Sequence, residues 1–341
     1  MKVSDMMSIV SYALKGNFKK FDENLKKVSK ETGLSMWSLR WKFLNCFRLL
    51  GSGYSDFLNY ELYNKTKKEL LEYVTIKDQD RFYEIVSPSK YKTAFTIKPN
   101  FLKNFQKYVT RDFFAEGSFE ELEKFLDAHE CFMMKPYDGL GGHGVEKVYS
   151  KDIEDREAFF QKLKEDKSFL EEYVVQHADI SKICDASVNT IRVMTFAYDG
   201  KSEILFAAMR FGNGEGAVDN FHQGGMSVLV DLETGKLTGR AFNKNLDRFD
   251  SHPKSKIKFD GFQIPNWEKV KEIVLEAALV NEHIHCVGWD VAVTEEGATF
   301  IEGNRRPGYD LVQVLSNRGR KDIMRHCLDI MNEVDGTNYR I

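Results

Sequence analysis

The chain has 341 residues and a mass of 39.5 kDa, with 42% hydrophobic and 30% charged residues, which is material for two or three lobes around a real core. A formal net charge of −3 and a pI near 6.3 lack the basic footprint that nucleic-acid recognition leaves, so no nucleic-acid partner is expected. Five scattered cysteines (Cys46, Cys131, Cys184, Cys286 and Cys327), odd in number and never spaced C-x-x-C, argue against a disulfide framework or a zinc knuckle and fit a reducing cytosol.

The opening stretch "MKVSDMMSIVSYALKG" carries an acid at Asp5 and only an interrupted apolar run, which is a poor secretory signal. No later segment is apolar for long enough to span a bilayer, so a cytoplasmic protein is expected. Residues 1 to about 95 read as helical, with turn signals at Gly33 and at Gly51 to Gly53 and a capping box at Thr66-x-x-Glu69. From Met1 to Arg48 there are ten Lys or Arg against four Asp or Glu, and "SMWSLRWKFLNCFRLL" interleaves aromatics and leucines with the basic residues. Two readings stand: a peripheral membrane or protein contact through basic N-terminal helices, or an apolar stripe packed on the protein with a solvated basic face.

Beyond residue 95 helix and strand alternate. A capped helix opens at Ser118-x-x-Glu121, followed by the short strand "CFMMK", a glycine loop, a polar helix from Arg156 to Asp166 and the strand "FLEEYVVQ". Two hairpins follow, one turning at Asp199-Gly200 and one near Thr234-Gly235. Pro265 and Asn266 open an amphipathic helix, "NWEKVKEIVLEAALVNEHI", and a last hairpin, "CVGWDVAVTEEGATFIEGN", precedes the C-terminal helices. The fold class is therefore α+β.

Two of these segments carry chemistry. "MKPYDGLGGHGVEKV" places Gly139, Gly141, Gly142 and Gly144 within six residues, behind Lys135. Such a loop lets backbone N–H groups wrap a polyanion, usually phosphate. In the last hairpin a turn centred near Glu296 sets Asp290 opposite Glu302, and Asn304 shares the face of Glu302 because side chains alternate with period two. Facing carboxylates repel, so an oxygen cluster of this kind suits Mg²⁺ bound with nucleotide phosphates. "HIHC", His283 to Cys286, reads instead as packing before a buried strand, with no fourth ligand evident. Arg305 and Arg306 are open between holding an acidic substrate and bracing the loop before Pro307.

Taken in order, the motifs resemble the ATP-grasp superfamily from about Lys98 to Gly308: "IKPNFLKNF", "KPYDGLGGHGV", "EEYVVQ", "VNTIRVMTF" and "WDVAV…FIEGNRRPG". "VNTIRVMT", "AVDNFHQGG" and "EGNRRPG" are most similar to the sugar-transfer-associated ATP-grasp group, and "VDNFHQGG" is also similar to the ribosomal-protein glutamate ligases. The resemblance implies an ATP-grasp fold, two α+β lobes sandwiching ATP, with a helical region at 1–95, a small lobe at 96–180 carrying the glycine lid, and a large lobe at 181–341 carrying the Mg²⁺ site. The helical first region departs from the Rossmann-like first lobe of many ATP-grasp ligases.

The resemblance also implies roles. Lys98 and Lys135 would reach the phosphates of ATP under the Gly139 to Gly144 lid. Glu171 or Glu172 would bind the adenine amino group, with Tyr173 and Val174 offering backbone groups at the adenine edge. Asp290, Glu302 and Asn304 would hold Mg²⁺, and Arg192 and Arg210 would neutralise charge on the transferred phosphoryl group. Asn220 and His222, with Gly224 and Gly225, would line the acyl end. There His222 either positions or deprotonates an amine, or is a hydrogen-bonded loop residue, and His143, inside the lid, either touches a phosphate or sits in solvent. The implied activity is an ATP-dependent carboxylate–amine ligase working through an acylphosphate. Its substrates would be a small-molecule carboxylate and amine, in a sugar, nucleotide-sugar or peptide precursor of cell-surface polysaccharide. An ATP-grasp phosphotransferase acting on a hydroxyl and a non-catalytic nucleotide-binding module remain as alternatives.

Overall fold

A computed structural model describes residues 18–138, 144–213, 225–244 and 247–341. The chain separates into two compact units, Met1–Phe82 with Gly308–Ile341, and Tyr83–Pro307.

The described part of the first unit is helical. Helices Phe18–Thr32 and Met36–Leu50 form its start, the second capped by the Ser35 side chain at one end and by Gly51 in the left-handed region at the other. Their apolar stripes meet through Phe21 and Phe43, with ring centroids 5.0 Å apart, and Phe43 continues to Phe57 at 5.4 Å. The expected capping box at Thr66 is present: Glu69 N–H donates to Thr66 Oγ1 (3.3 Å) and Thr66 N–H donates to Glu69 Oε2 (2.7 Å). The C-terminal helices Asp310–Ser316 and Lys321–Asp335 belong to this unit, where the buried Gln313 amide bonds both backbone groups of Val74.

The second unit holds two antiparallel sheets. The smaller contains β1 (Phe113–Phe114), β2 (Cys131–Pro136), β3 (Glu146–Tyr149) and β4 (Ser168–Glu172) in the order β1-β4-β2-β3. Helices Phe119–Ala128 and Arg156–Glu165 cover one face, burying Leu122, Phe125, Phe160 and Leu163 against Phe132, Met134 and Leu170. The Ser118 capping box forms as expected. The larger sheet contains β5 (Thr190–Tyr198), β6 (Lys201–Phe211), β7 (Met226–Val230), β8 (Leu237–Asn243), β9 (Arg248–Phe249), β10 (Cys286–Val293) and β11 (Ala298–Asn304), ordered β11-β10-β5-β6-β7-β8-β9. Asp199 and Gly200, at φ 48° and 70°, turn the β5–β6 hairpin in the left-handed region that the Asp-Gly pair favours.

Two expected boundaries move. The strand beginning at Phe169 stops at Glu172 rather than Gln176, because its ladder with β2 ends at Phe132↔Glu172 and the two-residue β1 pairs only with Leu170 and Glu171 on the other side. The helix opened by Asn266 runs Trp267–Ala278, after which the Asn281 side chain accepts from His283 and Ile284 N–H and turns the chain into β10.

β10 is buried along its whole length, and its two faces differ. Trp289 faces an aromatic cluster, stacked on Phe300 with centroids 4.7 Å apart, edge-on to Phe105 at 5.1 Å and donating its indole N–H to Thr195 Oγ1 (2.8 Å). Its neighbour Asp290 faces the other way, as period two requires. The cluster leaves no room on β11 either, since a Cβ on Gly303 would lie 2.6 Å from Phe101 Cε2. Trp289→Ala should therefore cost about 3–5 kcal/mol in chemical denaturation, and Thr195→Val about 1–2 kcal/mol through the unpaired indole. A Trp289→Ala loss below about 1 kcal/mol would contradict this packing.

Candidate active site

Asp290 and Glu302 are cross-strand partners, as the spacing predicts, but a bulge decides it. From Val293↔Ala298 to Val291↔Phe300 the register would bring Ile301 opposite Asp290; one extra residue on β11 brings Glu302 there instead. Asn304, on the same face, donates its amide N–H to Glu302 Oε1 (3.3 Å). Arg192 is the partner of Asp290 on β5, and Arg210 lies one strand further on β6. Asp290, 1% exposed, receives Arg192 Nε (2.5 Å) and Nη2 (2.9 Å) and Arg210 Nη2 (3.0 Å). Arg210 is steadied by Thr190 Oγ1 (2.7 Å). Burial pushes the Asp290 carboxyl up, but the two guanidiniums outweigh it and hold it at about 2. Burial and the neighbouring Asp290 charge push Glu302 the other way, above the usual carboxylate range.

The smaller sheet supplies a second cluster. Lys135 on β2 and Glu171 on β4 share a face, and Lys135 Nζ lies 2.6 Å from Glu171 Oε2. Arg111, absent from the sequence reading, completes it. Its Nη2 bonds Glu171 Oε1 (3.1 Å) and its Nε bonds Oε2 (3.3 Å). The same guanidinium donates to the Phe300 carbonyl and reaches Ile301 O (3.5 Å), the carbonyls at the bulge that sets Glu302. Arg111 and Glu171 are 6% and 3% exposed. Burial raises the Glu171 carboxyl, yet Arg111 and Lys135 overcome this and hold it at about 2. Lys98, half-buried, is lowered mainly by burial; Glu302 and Glu171 raise it and Lys135 lowers it, so both lysines belong to one field.

Of the two acids left open, Glu171 faces inward, engaged by Arg111 and Lys135, while Glu172 is half-buried and accepts the Asp112 N–H (3.1 Å). Tyr173 lies beneath the Lys147 ammonium, 4.3 Å from its ring centroid, and Val174 is half-buried beside it. The segment is anchored by Gln176, another residue the sequence reading passed over. Its amide donates to the Cys184 and Ser187 carbonyls (2.9 and 3.0 Å) and accepts from Asn189, whose own carbonyl accepts Gly212 N–H (3.1 Å). Gly139, Gly141, Gly142, His143, Asn220, His222 and Gly224 lie outside the described residues. Gly144 has φ 73°, a left-handed position suited to glycine, and Gly225 is buried just before β7.

The remaining open groups are structural. Arg305 donates to Ser87 O (3.0 Å), and Arg306 pairs with Glu84 and bonds Ser89 Oγ (3.1 Å), so both brace residues 84–89. His283 stacks on Tyr91 (3.9 Å), His285 bonds Ala197 O (2.9 Å), and burial pushes the Cys286 thiol up to about 12.

Compared with known families, residues 63–327 match the one described as sugar-transfer associated ATP-grasp. The chain belongs to this family. Its mixed α and β architecture with a helical N-terminal region is an ATP-grasp fold. Among solved structures it is similar to the ATP-grasp ligase PsnB complexed with minimal precursor (14% identity, TM-score 0.43), covering 72% of this chain and 64% of that one. It is also similar to the D-cycloserine synthetase DcsG (14% identity, TM-score 0.41, 73% of each chain). A third is an L-amino acid ligase from Bacillus licheniformis (14% identity, TM-score 0.39, 64% of this chain and 42% of that one). The chain thus spans less than two thirds of the length of PsnB. No curated protein matches the sequence.

In this ATP-grasp chain the Arg111–Glu171 pair should contribute to acid stability, beside Asp290, whose carboxyl is also held at about 2. A carboxyl held at about 2 instead of 4.5 contributes stability that is present above pH 4.5 and lost as pH falls toward 2, about 3 kcal/mol in all. Denaturation midpoints measured between those pH values should fall in the wild type and fall less steeply in Glu171→Gln. Arg111→Met, which strands a buried carboxylate, should cost about 3–5 kcal/mol at neutral pH. Equal slopes, or a neutral Arg111→Met, would contradict the assignment.

Proposed function

We propose that the protein is an ATP-dependent carboxylate–amine ligase that activates a carboxylate as an acylphosphate, using ATP and Mg²⁺. The observation that carries this reading is the meeting of two lysines, two arginines and a buried oxygen cluster within the second unit. The donors suit a hard cation. Asp290, Glu302 and Asn304 present oxygens, and burial together with the Asp290 charge raises the Glu302 carboxyl despite Arg192 and Arg210 nearby. Mg²⁺ held there would neutralise charge between the β- and γ-phosphates.

The chain's own residues would then act by placement and charge. Lys98 and Lys135 would take phosphate oxygens, with Glu171 and Arg111 fixing the Lys135 ammonium. Backbone groups of Tyr173 and Val174 would meet the adenine edge, held by the Gln176 anchor, and the loop at 139–144 would close over the phosphates. Arg192 and Arg210 would face the γ-phosphoryl group as a carboxylate oxygen attacks phosphorus and ADP leaves. An amine would displace phosphate from the acyl carbon, with Asn220 and His222 at that end. In this reading residues 96–180 form the small lobe and 181–341 the large lobe. The reaction would take place in the cytoplasm on a sugar, nucleotide-sugar or peptide precursor of cell-surface polysaccharide.

Glu302→Ala should abolish turnover with the fold intact, read by phosphate release beside circular dichroism. Arg210→Met should lower the maximal rate roughly 100-fold or more while changing the ATP KM only a few-fold. Reaction class is read by isotope. A substrate carboxylate labelled with heavy oxygen should deliver label to inorganic phosphate, because the attacking oxygen leaves with it. Unlabelled phosphate from a confirmed substrate would contradict the acylphosphate route, and ADP released without inorganic phosphate, with the phosphoryl group retained on the product, would instead favour phosphotransfer to a hydroxyl.

A further inference from the structure

Helix Met36–Leu50 is apolar on two opposite flanks. Leu39, Phe43 and Cys46 form its buried stripe, already packed in the first unit. On the other flank, Trp37 and Trp41 are 75% and 54% exposed and stack on each other, centroids 6.1 Å apart and planes 5° from parallel. Exposed Arg40 and Arg48 and half-buried Leu44 share that flank through i, i+3 and i, i+4 spacing. This helix contains no acid, and with helix Phe18–Thr32 the hairpin carries eight Lys or Arg against three Asp or Glu in a chain of net charge −3. Arg40 and Lys26 are both tied to Asp22 (2.6 and 3.5 Å), and Lys19, Lys27 and Lys30 of the first helix are exposed as well.

We infer that this flank is a docking surface for an anionic phospholipid bilayer, with the Trp37–Trp41 pair entering the headgroup region and the surrounding Arg and Lys facing lipid phosphate. Tryptophan, with an apolar ring and a polar N–H, favours the membrane interface, and basic residues around it add attraction to a negative leaflet. Charge selects among occupants. A second copy would set this surface against itself, bringing the same basic groups together. A bilayer supplies opposite charge and accepts the rings without a preformed pocket. Among the described residues no helix is long and apolar enough to cross a membrane, so the contact is peripheral. The inference does not depend on the chemistry of the second unit.

The test uses the full chain with vesicles of phosphatidylcholine alone or with about one third phosphatidylserine. Co-sedimentation should be at least about tenfold stronger with phosphatidylserine and should fall when salt is raised to about 0.5 M. Trp267 and Trp289 are buried at 4% and 0% exposure, so a blue shift of tryptophan emission on vesicles reports Trp37 and Trp41. Trp37→Ala/Trp41→Ala should lose the shift and weaken binding about tenfold or more, with an unchanged melting temperature because both rings are exposed. Arg48→Gln should weaken it about fivefold. Equal binding to both vesicle types, undiminished binding by the double variant, or a dimer in free solution that the double variant dissolves would each overturn the inference.

Discussion

A buried ion pair ties the functional parts of the second unit together. Arg111 reaches from the start of β1 to Glu171 on β4 and to the carbonyls of Phe300 and Ile301 on β11. Through Glu171 it holds Lys135; through the bulge carbonyls it braces the residue that swings Glu302 across from Asp290. Removing two opposite charges from water is expensive, so such a pair survives only where each remaining donor and acceptor is satisfied. Here the guanidinium has four acceptors and the carboxylate three donors.

The electrostatics divide cleanly around this anchor. Asp290 is over-compensated by two arginines and stays ionised, whereas Glu302, a strand away, is raised and receptive to a cation. Lys98 has its affinity for protons lowered by burial and by the neighbouring Lys135 ammonium, a cost that an incoming polyanion would relieve. Two buried acids set apart in this way, with cations converging, form a site prepared for charge the free protein does not carry.

Much of this was legible in the sequence. Capping boxes at Thr66 and Ser118, the Asp-Gly hairpin and the Asp290–Glu302 pairing rest on local spacing, and each forms as expected. The bulge was not legible, because a symmetric hairpin with its turn at Glu296 gives the same pair as a shorter turn with one extra residue. Arg111 and Gln176 were missed for a related reason. Arg111 finds its partners 60 or more residues away and Gln176 finds its own 8 to 13 residues away, and their segments "VTRDFF" and "YVVQ" carry no periodic signal. The strand end at Glu172 depended on where the ladder with β2 runs out, which is a property of the pairing rather than of "FLEEYVVQ".

The most direct test of the account is calorimetry of a non-hydrolysable ATP analogue binding to the wild-type chain with and without Mg²⁺. If Asp290, Glu302 and Asn304 join a cation to phosphates gathered by Lys98 and Lys135, binding should be at least about tenfold tighter with Mg²⁺, and that gain should vanish in Glu302→Ala. Binding of equal strength with and without Mg²⁺, or a gain that persists in Glu302→Ala, would contradict it.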